Sequence, residues 1–320
     1  MNGAPGWWPL SPSALASNQT MPWYELDSAD DKKLDELAER FSLHPLHVED
    51  ARATDERIKV DQSSGYTFAV LKPMYLVPDD RDHPEKAREV ATSTLDLFAG
   101  KKGDEAFFIS IADPNCPVTA SALERAHREG ASDNPARLLY LIVDTIVDNY
   151  FPVIDYYDEC IEELEDKVVQ RPDPATLQDI FSLKRKLMEL RRILVGTRDA
   201  TLHLQRDPES IIDSEHQPFV RDVYDHTIRL LDSVESQRDL VNNVLDIYLS
   251  SVANRTNEVM KVLTVLSTIA LPALAITGIY GMNLKGLPFE NSPYGAAIVA
   301  AVTVACTVIL LAILKARKWF

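Results

Sequence analysis

Cysteine, glycine-rich loops and positive charge are all scarce in this chain of 320 residues. Its three cysteines, Cys116, Cys160 and Cys306, are widely separated. That spacing excludes a disulfide framework and predicts reduced, structural thiols. No glycine-rich phosphate-binding loop is present, so nucleotide-driven chemistry has no seat. The seven histidines are scattered, and His44 and His47 merely flank a proline. A metalloenzyme needs clustered ligands, so these histidines are read as structural. Bases number 33 against 49 acids, a net charge of −16. Such a balance repels nucleic acid and anionic lipid and favours cations, although solubility alone also accounts for it. Roughly the first 25 residues lack a basic segment followed by an apolar core, which predicts no cleavable signal.

What is present lies near the C-terminus. Two uncharged apolar segments, 262–279 and 294–314, flank a short loop that opens with Tyr280, Gly281, Met282 and Asn283. Each segment approaches the ~20 residues that cross a lipid bilayer as a helix, so together they form a membrane hairpin. Arg255 and Lys261 precede the first span, and Lys315, Arg317 and Lys318 follow the second. The loop holds only Lys285 and Glu290. The positive-inside rule therefore places both termini in the cytoplasm, and Trp319 suits the interface.

Upstream, the Pro-, Ser- and Asn-rich stretch 7–21 is a loose lead-in. A helix is expected at 28–41, capped by Ser28 or Asp30, with Leu34, Leu37 and Phe41 buried. Strands are expected at 66–74, 90–98 and 106–111, the last two joined by a turn at 100–104, and a helix at 118–128. This is a small α/β unit with a partly antiparallel sheet. From Pro135 the pattern changes to long helices at 135–169, 174–205 and 216–280, broken at 171–174 and near 207–208. The last has no Pro or Gly between Pro218 and Pro272, so it should run unbroken into the membrane. Its ~65 residues at ~1.5 Å each reach ~100 Å, too long to bury in one subunit. Other copies of the same helix are the expected neighbours, and hence an oligomer.

The helix after Tyr150 carries seven acids between Asp155 and Asp166, on an apolar stripe of Ile154, Tyr157, Ile161, Leu164 and Val168. The helix after it is basic at Lys184, Arg185, Lys186, Arg191 and Arg192. Two readings stand: a salt-bridged helical hairpin, or an acidic rim that concentrates cations near a pore.

Two spans cannot enclose a pathway, so a pore needs several copies with one helix from each facing the axis. The first span is the polar one, with Asn257, Thr264, Ser267, Thr268, Thr277, Gly278 and Gly281, whereas the second is mostly Ala, Val, Ile and Leu. Small and hydroxyl residues also mediate helix contacts in lipid, and that reading stays open. Asn283 sits where the span ends. A ring of its amide oxygens would accept hydrogen bonds from water on an incoming cation without adding fixed charge. That suits Mg²⁺, which dehydrates reluctantly.

With the run 254–264 ahead of it and a basic, aromatic tail behind, the Tyr280-Gly281-Met282-Asn283 sequence resembles the CorA family of magnesium and cobalt transporters. The resemblance covers the chain well from about Pro135 onward and in outline before that. It implies an α+β fold in a homopentamer embedded in the cell inner membrane. A cytoplasmic α/β domain would occupy 1–130 and a long-helix funnel 131–258. A pore-lining span at 259–281, a periplasmic loop at 282–293, a second span at 294–315 and a basic cytoplasmic tail at 316–320 would follow. Gly281, Met282 and Asn283 would form the selectivity filter, with Glu290 as the acid of the entrance loop. Asn257 would form a polar ring near the cytoplasmic mouth, Leu263 and Leu271 hydrophobic constrictions that close by dewetting, and Thr264, Leu274 and Gly278 further pore lining. The segments 221–226 and 141–144 match those of cytoplasmic regulatory metal sites, which places Asp222 and Asp144 there. Taken alone, each is a helix-surface acid.

The cargo implied is Mg²⁺, with Co²⁺, and Mg²⁺ is also the regulator. The family's partners are divalent ions, lipid and further copies of the chain, not nucleic acid, and its members are not enzymes. Two departures matter. Leu274 is apolar where some relatives are polar, and the loop 284–290 places Lys285 near the entrance. The loop is closer to the zinc-transporting branch and keeps proton-coupled Zn²⁺ transport open, while Met282 favours Mg²⁺ or Co²⁺. A membrane-anchored scaffold or sensor would share the long helices and two spans, but would have no use for an Asn283 ring and would pass no ions.

Overall fold

The computed structural model describes residues 21–28, 30–53, 56–78, 88–129, 134–170, 172–207, 210–282, 286–289 and 292–317. All of the lead-in except Met21 lies outside them, as do Asn283, Lys285, Glu290, Lys318 and Trp319.

The chain divides into two compact units, Met1–Leu164 with Gln178–Asn242, and Glu165–Leu177 with Asn243–Phe320. In the first, a five-stranded sheet runs in the order β1-β7-β6-β3-β2. Its strands are β1 (Trp23–Asp27), β2 (Lys59–Ser63), β3 (Tyr66–Leu71), β6 (Leu95–Lys102) and β7 (Glu105–Ala112), and β4 (Met74–Pro78) pairs with β5 (Arg88–Thr92) separately. Among the described residues only β1 joins its neighbour in parallel; the other pairs are antiparallel.

The strands expected at 66–74 and 90–98 are each broken in two. Pro73 has no N–H for the ladder, and its carbonyl instead accepts from Ser93 N at 3.0 Å. The pairing resumes beyond the break in the same register, Leu71 opposite Leu95 and then Met74 opposite Thr92. The turn that joins β6 to β7 is shorter than the expected 100–104: Gly100, Lys101 and Lys102 still pair with β7, and only Gly103 and Asp104 turn. Gly100 is required beside it, because a Cβ there would run into Tyr66 and the Gly65 carbonyl.

One face of the sheet packs on α1 (Asp31–Phe41) and α2 (Pro45–Asp50). Tyr66, Phe68, Val70, Phe98, Phe107, Ile109, Ile111 and Leu26 meet Leu34, Leu37, Phe41, Val48 and Ala51 there. The fully buried side chains among these contribute on the order of 1.5–3 kcal/mol each. Helix α1 starts three residues later than expected, because Asp30 is the cap and accepts from Lys33 N at 3.3 Å. The rings of His44 and His47 have local partners: His44 Nδ1 accepts from Leu46 N at 3.3 Å as the cap of α2, and His47 Nδ1 lies 2.9 Å from Tyr66 Oη, which also accepts from the backbone N of His44 at 2.8 Å.

Asp96 is the exception on this apolar face. It sits on β6 between Val70 and Ile111, only 4% exposed, and its Oδ1 has no hydrogen-bond partner. Burial, and after it the charges of Asp50 and Glu56, push its carboxyl up to about 8.

Helices α3 (Pro117–Arg128) and α4 (Pro135–Asp148) lead into α5 (Tyr150–Gln170), α6 (Pro174–Arg206) and α7 (Gln217–Gly281). The single helix expected at 135–169 is therefore two. Pro152 offers no N–H to the carbonyl four residues back and its ring crowds that carbonyl. The chain breaks at Asn149, whose Nδ2 donates to Thr145 O at 2.7 Å, and Pro152 falls in the first turn of α5. Two of the bases on α6 bond to α7: Arg191 Nε to Glu235 at 3.1 Å and Lys184 Nζ to Asn242 at 2.9 Å. Between α5 and α7, Gln237 Nε2 donates to Ile154 O at 2.8 Å.

The second unit contains the remainder of α7 and α8 (Gly295–Ala316). As expected, α7 is a single helix of 65 residues that continues through Pro272.

Candidate functional site

Both α7 and α8 contain windows long and apolar enough to cross a membrane, and almost nothing of either window is buried within the chain. Large apolar side chains therefore stand free on the last turns of α7: Leu263, Leu271 and Leu274 are 54%, 67% and 69% exposed. In water this arrangement would aggregate. It is stable against lipid or against further copies of the helix.

The sites expected along the first span fall into a pattern. Asn257, Thr264, Leu271 and Gly278 recur every seventh residue, and Met260, Ser267, Leu274 and Gly281 follow each of them by three. That is the spacing of a helix seam that faces partner helices across a common axis. Leu263 borders the seam. Except for Thr264, which is partly covered, every seam residue is exposed in the single chain. A shallow groove of about 290 Å³ runs along it, lined by Leu263, Thr264, Ser267, Thr268 and Leu271.

Three threonine hydroxyls of this span have committed hydrogens. Thr264 Oγ1 donates to Met260 O at 2.7 Å, Thr268 Oγ1 to Thr264 O at 2.8 Å and Thr277 Oγ1 to Ala273 O at 2.6 Å. Such a hydroxyl presents only lone pairs outward. It accepts from water bound to a cation and offers no proton to an anion. Gly281 is the last residue of α7, and Met282 beyond it is 63% exposed. Asn283 and Glu290 lie outside the described residues.

The two acids expected at a regulatory site lie in the other unit, on α4 and α7. Asp144 is 8% exposed and bound to Arg125 Nη1 at 2.8 Å, and the same Nη1 lies 3.0 Å from Thr145 Oγ1. Asp222 is open to solvent, 3.5 Å from His226 Nε2. His226 Nδ1 faces Asp148 at 3.9 Å, is buried and lacks a hydrogen-bond partner. Burial, and then the Asp144 charge, hold the Asp148 carboxyl above its ordinary range. Burial and the same charge raise the Tyr140 hydroxyl.

Sequence reasoning missed Arg125 and Asp148, and it held His226 within the segment 221–226 without giving it a role. Asp148 and His226 follow Asp144 and Asp222 by four residues and so share their helix faces, a spacing readable in the sequence. Among the described residues no three His, Cys, Asp or Glu side chains of one chain converge to hold a metal ion.

Known proteins agree with this architecture. The solved structure of the CorA magnesium transporter of Methanocaldococcus jannaschii superposes with a TM-score of 0.77, covering 98% of this chain and 95% of that one at 24% identity. The cobalt/magnesium transport protein CorA of Thermotoga maritima is 38% identical over 286 residues, 88% of this chain and 78% of that protein. The zinc transport protein ZntB of Yersinia enterocolitica is 23% identical over 321 residues, covering all of this chain and 94% of that protein. The family described as CorA-like Mg²⁺ transporter protein matches residues 18–316. With nearly the whole chain matched, this protein belongs to the CorA-like Mg²⁺ transporter family, and so to the transporters rather than the enzymes.

Proposed function

We propose that the protein carries divalent cations, chiefly Mg²⁺ and also Co²⁺, into the cytoplasm through a pore built by five copies of the first span. The observation that carries this reading is the exposed seam from Asn257 to Gly281, which leads into Gly281, Met282 and Asn283. Helices with such a seam associate around an axis, and here the axis is lined by hydroxyl acceptors, small residues and apolar rings.

In this reading the chain divides into a cytoplasmic α/β domain at 1–130, a helical funnel at 131–258, spans at 259–281 and 294–315 with the loop 282–293 outside, and a basic tail at 316–320. Both termini lie in the cytoplasm and the membrane is the inner one. Asn283 amides bind the hydrated ion at the outer mouth and Glu290 draws it in. The ion then passes Gly278, Leu274, Leu271, Thr264 and Leu263 and leaves by the Asn257 ring. Entry needs no chemical fuel, since a divalent ion gains about 4.6 kcal/mol per 100 mV, inside negative. Leu271 and Leu263 close the path by dewetting when the helices approach.

Closure answers to cytoplasmic Mg²⁺. This hard cation takes carboxylate oxygens and keeps much of its water. Asp222 and Asp148 supply such oxygens, and the buried His226 Nδ1 without a partner is a further polar atom facing the cluster. Among the described residues a single chain does not complete the set, and the site is taken to lie between copies. Asp222 carboxylates bridged across the interface hold the funnel shut, and uncompensated ones repel and open it. Asp144 tunes the cluster through its charge while Arg125 holds it.

A second reading has its own support, namely the full-length likeness to the Yersinia zinc transporter and Lys285 in the entrance loop. Uptake into proteoliposomes of the purified full-length protein separates the two. Mg²⁺ entry driven by membrane potential supports the first. Zn²⁺ entry that requires a pH gradient supports the second, and flux of neither ion returns the chain to an anchored scaffold.

A further inference from the structure

The groove on the first span is apolar at its ends and polar in its middle. Leu263 and Leu271 bound it, ~12 Å apart along the helix, and Thr264, Ser267 and Thr268 lie between them. Two of these three hydroxyls are spent on their own helix, since Thr264 Oγ1 donates to Met260 O and Thr268 Oγ1 to Thr264 O. Ser267 differs. It is exposed, about one turn from each leucine, and among the described residues its Oγ has no hydrogen-bond partner. A serine set against lipid returns its proton to the carbonyl one turn back, because a hydroxyl left bare in hydrocarbon costs free energy. Ser267 makes no such bond, and it shares the seam with Met260, Leu274 and Gly281. Its partner is therefore water, or the same residue of another copy.

We propose that Ser267 is a station for the hydrated cation between the two apolar constrictions, a ring of hydroxyls that keeps water in the path there. The inference rests on the reading of the seam as the wall of a five-copy pore. The threonines beside it have only lone pairs to offer. Ser267 has a proton as well: its lone pairs accept from the water around the ion, and its own hydrogen goes to a neighbouring Ser267 or to a second water. Such a ring rearranges as the ion passes. Without it the middle of the stretch between the leucines becomes apolar and sheds water more readily, and Mg²⁺, which dehydrates reluctantly, crosses it more slowly.

The test uses the full-length protein in proteoliposomes at a fixed inside-negative potential, with Mg²⁺ influx measured against external Mg²⁺ in wild type, Ser267→Ala and Ser267→Cys. Ser267→Ala should lower maximal influx roughly fivefold, the factor expected for one lost hydrogen bond, and leave the half-saturating Mg²⁺ concentration unchanged, because the outer mouth is intact. Ser267→Cys puts thiols at the station, and thiolates favour soft ions. Cd²⁺ at concentrations that spare the wild type, which keeps Cys306 on α8, should block influx through Ser267→Cys, and a chelator should restore it. Wild-type maximal influx in Ser267→Ala overturns the inference. So does Ser267→Cys that ignores Cd²⁺, whatever Ser267→Ala does, because the side chain then faces a helix or lipid and not the path. Wild-type vesicles that take up no Mg²⁺ overturn the transport reading itself, and the station falls with it.

Discussion

Replacing Asp96 with Asn should stabilise the protein, and the gain should grow with pH. The carboxyl lies between Val70 and Ile111 in the apolar face beneath α1 and α2, and burial keeps it protonated up to about pH 8. In the unfolded chain it ionises near its usual value of about 3.9. Between these values folding must take up a proton, so stability falls as pH rises from about 4 to about 8 and levels off on either side. A rise of about 4 units at about 1.4 kcal/mol each amounts to about 6 kcal/mol at the alkaline end. Asn fills the same volume and never ionises, so it escapes this loss. Thermal unfolding of wild type and Asp96→Asn in detergent micelles, stepped from about pH 5 to about pH 9, measures the gap. It should be smallest at the acid end, widen up to about pH 8 and then stay constant. A gap independent of pH would mean that Asp96 is ionised or hydrated in the folded protein, and the burial argument would fall.

Arg125→Ala should destabilise the protein by about 2 kcal/mol, because it leaves Asp144 buried without its guanidinium; the figure lies below that for a fully buried pair since Arg125 is partly exposed. Asp144→Asn added to that variant should restore part of the loss in the same unfolding experiment. Asp222→Ala should shift protection from proteolysis by Mg²⁺ to higher concentrations, and unchanged protection would remove Asp222 from the regulatory site. Leu271→Asn should let water and ions past the constriction when internal Mg²⁺ is high, so influx that wild type shuts off persists in fluorescence traces from loaded vesicles.

Elements whose signals are local were legible in the sequence. The spacing of Leu34, Leu37 and Phe41 gave α1, and the lack of Pro and Gly between Pro218 and Pro272 gave the unbroken α7. Elements defined by distant partners were not. β1 has no alternation of its own and becomes a strand by pairing with β7, Trp23 opposite Phe108. β2 reads Lys-Val-Asp-Gln-Ser and sits at the sheet edge on β3. α2 is six residues long and starts from a His44 cap and Pro45. The break at Asn149 has a local signal in Pro152, three residues on. At the candidate site the polar residues of the first span were readable. The Arg125 to Asp144 tie, which decides how available that acid is, joins α3 to α4 and appears only in three dimensions.

We propose that Asn283, two residues beyond Gly281 in the sequence, selects the ion. Mg²⁺ influx into proteoliposomes held at a defined inside-negative potential, wild type beside Asn283→Ala, tests it most directly. Influx should rise with the potential in the wild type and collapse in Asn283→Ala. Equal influx in the two, or none driven by potential in the wild type, would contradict it.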